Sequence, residues 1–181
     1  EALAKLPEAY SFVWDFSYTA LMGVERDVFF PWLRRKLPGP ALAFVGDLEA
    51  DAAEVRRLGA ELGACCRRAG SARDPAAADE AARVIDRLRA KTVAMREVQE
   101  AVIVPFVSAY VPGAEQRKFN TRVISGLGLL NSQIHLVGMR DAVRGFPKEE
   151  EVFKQQIPRP AQLLIPVWRA RFYTNRAKAL E

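Results

Sequence analysis

Apolar positions recur at spacings of three and four along most of this 181-residue chain, and strand-like alternation is scarce. The pattern predicts long helices. A first helix spans Pro7 to Lys36, with Phe12, Phe16, Val24 and Val28 expected on its buried face. Pro38-Gly39-Pro40 ends it, because proline cannot continue a helix and glycine tolerates the turn. A second spans Leu42 to Arg68, with Leu48, Val55, Leu58 and Leu62 on one side, and closes at Gly70 and Ser71. Asp74-Pro75 opens a third, the acid capping free amides and the proline taking the first helical position. Its expected core positions are Ala82, Ile85, Leu88, Val93 and Val102, with a kink at Pro105 and an end at Pro112-Gly113. A fourth helix follows from Glu115 to Val143 and stops at Gly145-Phe146-Pro147. The expected architecture is therefore all-α: a helical bundle over residues 1–145 and a proline-interrupted basic extension over 146–181 packed across it. Extended pieces around Pro158, Pro160 and Pro166 and a short helix from Trp168 to Leu180 are expected in that extension.

An internal period organises the bundle. Sliding the chain by 74 places lays "LMGVERDVFFPWLRRKLPG", residues 21–39, on "MREVQEAVIVPFVSAYVPG", residues 95–113, with five identities in nineteen. Val24 meets Val98, Val28 meets Val102, Pro31 meets Pro105, and Pro38-Gly39 meets Pro112-Gly113. Bulky residues also face bulky residues at Leu21 and Met95 and at Trp32 and Phe106. The reading is two helical hairpins related by a pseudo-twofold.

These residues bring a family into view. Over about residues 7–112 the pattern resembles the hemerythrin-like (HHE cation-binding) domains, whose two hairpins each carry His-x-x-x-Glu followed by a stretch such as Glu-x-x-hydrophobic-Phe-Pro. "VERDVFFPWL" is the most specific piece and "VQEAVIVPF" the weaker second copy. The resemblance implies an antiparallel four-helix bundle whose inward histidines and carboxylates hold two oxygen-bridged irons. Carried over position by position, the ligands are gone. Leu21 stands at the first histidine position and Glu25 at its carboxylate; Met95 and Gln99 stand at the second pair. The i, i+4 spacing still stacks each pair on one helical face, but leucine cannot ligate, a thioether is a soft ligand, and glutamine supplies only a neutral oxygen. The histidine expected near the start of the second helix has no counterpart in "EADAAEVRRL". No metal and no other cofactor is therefore expected, and Leu21, Glu25, Met95 and Gln99 are read as vestigial ligand positions.

Other chemistry finds little purchase. His135 is the sole histidine, whereas a site of this type needs several imidazoles, and a carboxylate-only site from Glu25, Glu100 and Asp51 would desolvate like charges together. Phosphate-loop, G-x-G-x-x-G, G-x-S-x-G and H-E-x-x-H patterns are absent, so nucleotide binding, serine hydrolysis and zinc proteolysis have no support. The "GLGLL" run at 126–130 reads as close helix packing, not as a phosphate cradle. Cys65 and Cys66 are adjacent on a helix, a geometry that rarely bridges, and Arg67-Arg68 beside them would favour thiolates if the thiols were exposed. The expected protein is not an enzyme.

Composition adds three points. The net charge of +5 is mild, well short of a nucleic-acid binder, so no nucleic-acid partner is expected. The longest uncharged apolar run, Val123 to Met139, carries Asn131, Gln133 and His135 and is a poor membrane span. Two unbridged cysteines suit a reducing intracellular compartment, and with no initiating methionine at Glu1 an organellar location after loss of a transit peptide is among the readings. The extension interleaves Trp168, Phe172 and Tyr173 with Arg169 and Arg171, the residue types enriched at protein interfaces. The expected function is a structural or accessory subunit of a larger assembly, with those five residues as the partner surface. Peripheral contact of the basic helix with an anionic membrane is a second use of the same segment. An iron-dependent oxygen-binding or redox protein with unorthodox ligands is the alternative function.

Overall fold

The structure, a computed structural model, describes residues 2–126, 128–157 and 159–180, and the side chains at 16, 17, 124–132, 134, 156 and 179 lie outside the description. The chain is all-α, with no strand among the described residues. Helix α1 covers residues 2–36, α2 Gly39–Ala72, α3 residues 75–110, α4 Gly113–Gly126 and α5 Gly128–Ala142. The extension forms α6, Pro147–Gln156, and α7, residues 159–180.

Two-residue connections at 37–38, 73–74 and 111–112 fold successive helices back on one another. Asp74 caps α3 as its sequence predicts, its Oδ1 accepting the Ala76 N–H at 2.9 Å ahead of Pro75. Leu37 and Val111, the first residues past their helices, both turn to extended backbone and both bury their side chains in one core.

The contact between α1 and α2 is unusually close. Three α2 glycines receive rings from α1: Gly70 faces Pro7, Gly63 faces Tyr10 and Gly59 faces Trp14. A Cβ on Gly59 would fall 1.7 Å from the Trp14 ring, so the indole occupies the space that any side chain there would need. Tyr10 completes the joint by donating its buried hydroxyl to the Gly59 carbonyl at 3.0 Å. All four expected α2 core positions, Leu48, Val55, Leu58 and Leu62, are buried, as are Phe12 and Val24 of α1. Val28 is half-buried, and Phe16 falls among the side chains outside the description.

Helix α3 departs from expectation. The residues it turns to the core are Ala77, Ala81, Val84, Met95 and Ile103. Ala82 is exposed, Ile85 and Val93 are 49% and 48% exposed, and Leu88 and Val102 are only half-buried. The reason is steric: alanines at 77 and 81 let α3 approach α2 closely, and this small-residue stripe outcompetes the bulkier one beside it. Helix α3 therefore carries two apolar stripes, of which one is partnered by α2.

The 74-residue repeat is visible in the backbone. Residues Glu25–Phe29 and Gln99–Ile103 each form a π-helical turn, and these segments are offset by 74. The Phe30 N–H reaches back to the Glu25 carbonyl and the Val104 N–H to the Gln99 carbonyl, five residues each. A proline ring collides with the carbonyl four residues before it and offers no N–H. For Pro31 and Pro105 that carbonyl belongs to Asp27 and Ala101, inside the widened turns, so each π turn makes room for the ring behind it. Both prolines then sit in the first turn of a short α-segment, Phe30–Lys36 and Val104–Tyr110.

Helix α4 docks on the far end of α1, where Phe119 stacks on Trp32 at 4.1 Å and meets Phe29 at 5.9 Å. Helix α5 then runs along residues 11–18 of α1 and buries Leu136 and Val137 against Phe153, Ile157 and Ile165 of α6 and α7. The extension is thus helical, not extended. Pro147 and Pro160 occupy first-turn positions, where the missing N–H has no helical partner to lose. Pro166 stands inside α7 ahead of a further π turn, Arg169–Tyr173, and Pro158 lies outside the described residues. Among the described residues no helix is long and apolar enough to cross a membrane.

Gly59→Ala is expected to lower the unfolding free energy by about 2–3 kcal/mol, because the Trp14 ring cannot share its site. Gly46, in the same helix, has nothing within 4 Å of a built Cβ, so Gly46→Ala is expected to stabilise by about 0.5–1 kcal/mol. Urea titration of the two variants beside the parent checks both signs.

Candidate functional site

The four positions singled out by the repeat converge. Leu21 and Glu25 from α1 and Met95 and Gln99 from α3 line one cavity of about 220 Å³, together with Tyr18, Met22, Val55, Thr92 and Arg96. Local sequence dictates this meeting. Glu25 and Gln99 each open a π turn, so both stand at the same place in a matching local structure, and Leu21 and Met95 lie one turn before them.

The two polar members, Glu25 and Gln99, face the same cavity from opposite helices. Burial is the largest influence on Glu25 and pushes its pKa above the usual carboxylate range; Arg96, the Gln99 amide and Arg56 pull the other way without winning. Arg26 is not a partner of Glu25. It pairs with Asp27 instead, at 2.7 Å, on the exposed side. The remaining two positions are hydrocarbon and thioether, Leu21 half-buried and Met95 buried.

This donor set does not fit a binuclear iron centre. Of the four residues only Glu25 offers an anionic oxygen, and burial disfavours its charged form. Asp51 is held by Lys91, and Glu100 is exposed. His135 stands on α5, where burial lowers its pKa and its buried Nε2 has no hydrogen-bond partner among the described residues. Among those residues no three of His, Cys, Asp and Glu gather as a metal ion requires. What the arrangement does is bring α1 and α3 together around one small cavity with a carboxylate and an amide in an otherwise largely apolar lining.

Cys65 and Cys66 are free and buried in the α1–α2–α3 core. Burial raises both thiol pKa values and outweighs Arg67 and Arg68, so the activation that the neighbouring arginines could supply is cancelled.

The extension residues are placed unevenly. Trp168 and Tyr173 pack against the α5–α6–α7 core, and Tyr173 meets the Phe12 edge of α1 at 5.6 Å. Arg169 pairs with Asp141 of α5 at 2.8 Å, and Arg171 lies over the Phe172 ring at 5.5 Å. The outward apolar surface of α7 is made by Leu163, Leu164 and Val167, 79%, 44% and 53% exposed.

A second, larger concavity escaped the sequence reading. Between the first half of α1 and α3 lies a groove of about 480 Å³ that shares Tyr18, Thr92 and Arg96 with the smaller cavity. Its signal was present, since Ile85, Leu88 and Val93 were counted as core. No family model, curated protein or solved structure matches this chain.

A carboxyl whose folded pKa is raised ionises more readily in the unfolded chain, so the stability it contributes is full below 4.5 and falls as pH rises through its folded value. Glu25→Gln keeps the side-chain shape and removes the charge. It is expected to be more stable than the parent at pH 7, with the difference closing below the ordinary carboxylate range, as thermal melts across pH will show.

Proposed function

We propose that this chain is a non-catalytic structural or accessory subunit of a larger protein assembly, built as a hemerythrin-like antiparallel four-helix bundle that has lost its di-iron site. The bundle consists of α1, α2, α3 and the α4–α5 pair, with α6 and α7 as the extension. The observation that supports the reading is the convergence on one cavity of Leu21, Glu25, Met95 and Gln99, the positions that the sequence resemblance assigns to ligands.

Physical chemistry supports survival of such a frame without its metal. Replacing buried charged groups with packed apolar ones is often neutral or stabilising, and burial of each Leu or Met side chain contributes roughly 1.5–3 kcal/mol. The lone retained carboxylate loses part of its burial cost to Arg96, Gln99 and Arg56. An assembly role draws on the surface as well: Leu163, Leu164 and Val167 present adjoining hydrocarbon on α7, beyond the isolated apolar residues that any surface carries.

Elemental analysis of freshly purified protein tests this reading against an iron-dependent one. The expected result is iron below about one-tenth of an atom per chain, with a melting temperature unmoved by chelator or by ferrous iron added anaerobically. Close to two irons per chain would contradict it.

A further inference from the structure

The groove between α1 and α3 has walls with a definite period. On α1 the lining residues Leu6, Ala9 and Val13 are spaced by three and four; on α3 Ile85, Leu88 and Thr92 repeat the same spacing. That is the spacing with which a helix meets another helix. Helix α2 forms the floor, through Leu62 and Cys66. Three helices therefore wall the groove and Leu180 at the end of α7 lines it as well, while Leu136 and Val137 of α5 pack against α6 and α7. Val13, Ile85 and Val93 remain 40%, 49% and 48% exposed as a result.

Charge narrows the occupant. The lining includes Arg89 and Arg96 and no acid. The arginines stand seven residues apart on one helix, about 10 Å at 1.5 Å per residue, along one rim of the groove. Arg96 also faces Glu25 at the upper end, whereas Arg89 has no ion pair among the described residues. A fatty acid would bring a single carboxylate to one end. Two cations spaced by two turns match acidic residues recurring at the flanks of a helix, as at the e and g positions of a coiled coil. The walls run from Leu6 to Tyr18 and from Ile85 to Arg96, about 16–18 Å, which accommodates three helical turns.

We propose that this groove receives an amphipathic helix of a partner protein, apolar on its inner face and acidic along its flank, which lies between α1 and α3 over the α2 floor, on the side of the bundle that α4 and α5 leave uncovered. The inference rests on the reading of the chain as a subunit of an assembly and names the chemistry of the part it holds. Docking covers the second apolar stripe of α3, leaving both helix pairs with the burial their sequences call for.

The test uses the full chain and two fluorescein-labelled peptides of about 18 residues, long enough for partial helicity. Both carry leucine at heptad a and d; one has glutamate and the other lysine at e and g. At low ionic strength the glutamate peptide is expected to bind at least tenfold more tightly by anisotropy. Arg89→Glu should shrink that preference to twofold or less, and Ile85→Lys should weaken binding at least tenfold, with circular dichroism confirming that both surface variants remain folded. No binding of either peptide at ~100 μM, or equal binding of both, overturns the proposal. So does displacement of the peptide by dodecanoate with a retained lipid mass in native mass spectrometry, which assigns the groove to an amphiphile. Equally, sedimentation of the chain as a dimer that Ile85→Lys dissociates assigns it to a second copy. Peptide failure in iron-free protein defeats the groove assignment alone, whereas two irons per chain defeat the subunit reading whatever the peptides do.

Discussion

The seating of the Trp14 ring on Gly59 sets the geometry on which the rest depends. With hydrogen in place of a side chain at 59 and 63, α2 lets α1 approach until indole and phenol rings lie on its backbone, and the Tyr10 hydroxyl reaches the Gly59 carbonyl. A close α1–α2 joint brings the later turns of α1 over α3, where Leu21 and Glu25 meet Met95 and Gln99. Toward their starts α1 and α3 part on either side of Leu62 and Cys66, which produces the groove. One tight contact thus determines both concavities.

A second constraint acts through proline. Each copy of the repeat places a proline inside a long helix, and each answers it with a widened turn at the same register. The widening makes Glu25 and Gln99 equivalent residues of two equivalent turns, and so it brings them together despite their different chemistry. The result is a matched frame with unmatched, mostly apolar side chains. An amide and two arginines offset part of the cost of the half-buried carboxylate without cancelling it.

How much of this could be read in advance follows from the range of each interaction. Helix ends were legible because they are local: Asp74-Pro75, Pro38-Gly39 and Pro112-Gly113 act on their own neighbours. The repeat was legible because identity at Pro31 and Pro105 reports one backbone solution used twice. The inward face of α3 was not, because Ile85 and Val93 outrank Ala77 and Ala81 in hydrophobicity, and only the proximity of α2 reverses the order. The extension was misjudged as extended for a related reason: prolines at 147 and 160 stop a helix in its middle yet start one at its first turn, and spacing alone does not tell the two apart. For the candidate site, the four positions were legible from the i, i+4 pairs, whereas the meeting of Glu25 and Gln99 at one cavity needed the fold. The groove belonged to no motif, since it arises where a partner stripe is missing.

The central claim is that the two copies of the repeat meet through their equivalent residues. A double-mutant cycle of Glu25→Leu and Gln99→Leu, read as unfolding free energies at pH 7, tests it most directly. A coupling of about 1 kcal/mol between the two positions is predicted, as for neighbouring side chains that line one cavity. Additivity within about 0.3 kcal/mol would place the residues apart and contradict the account.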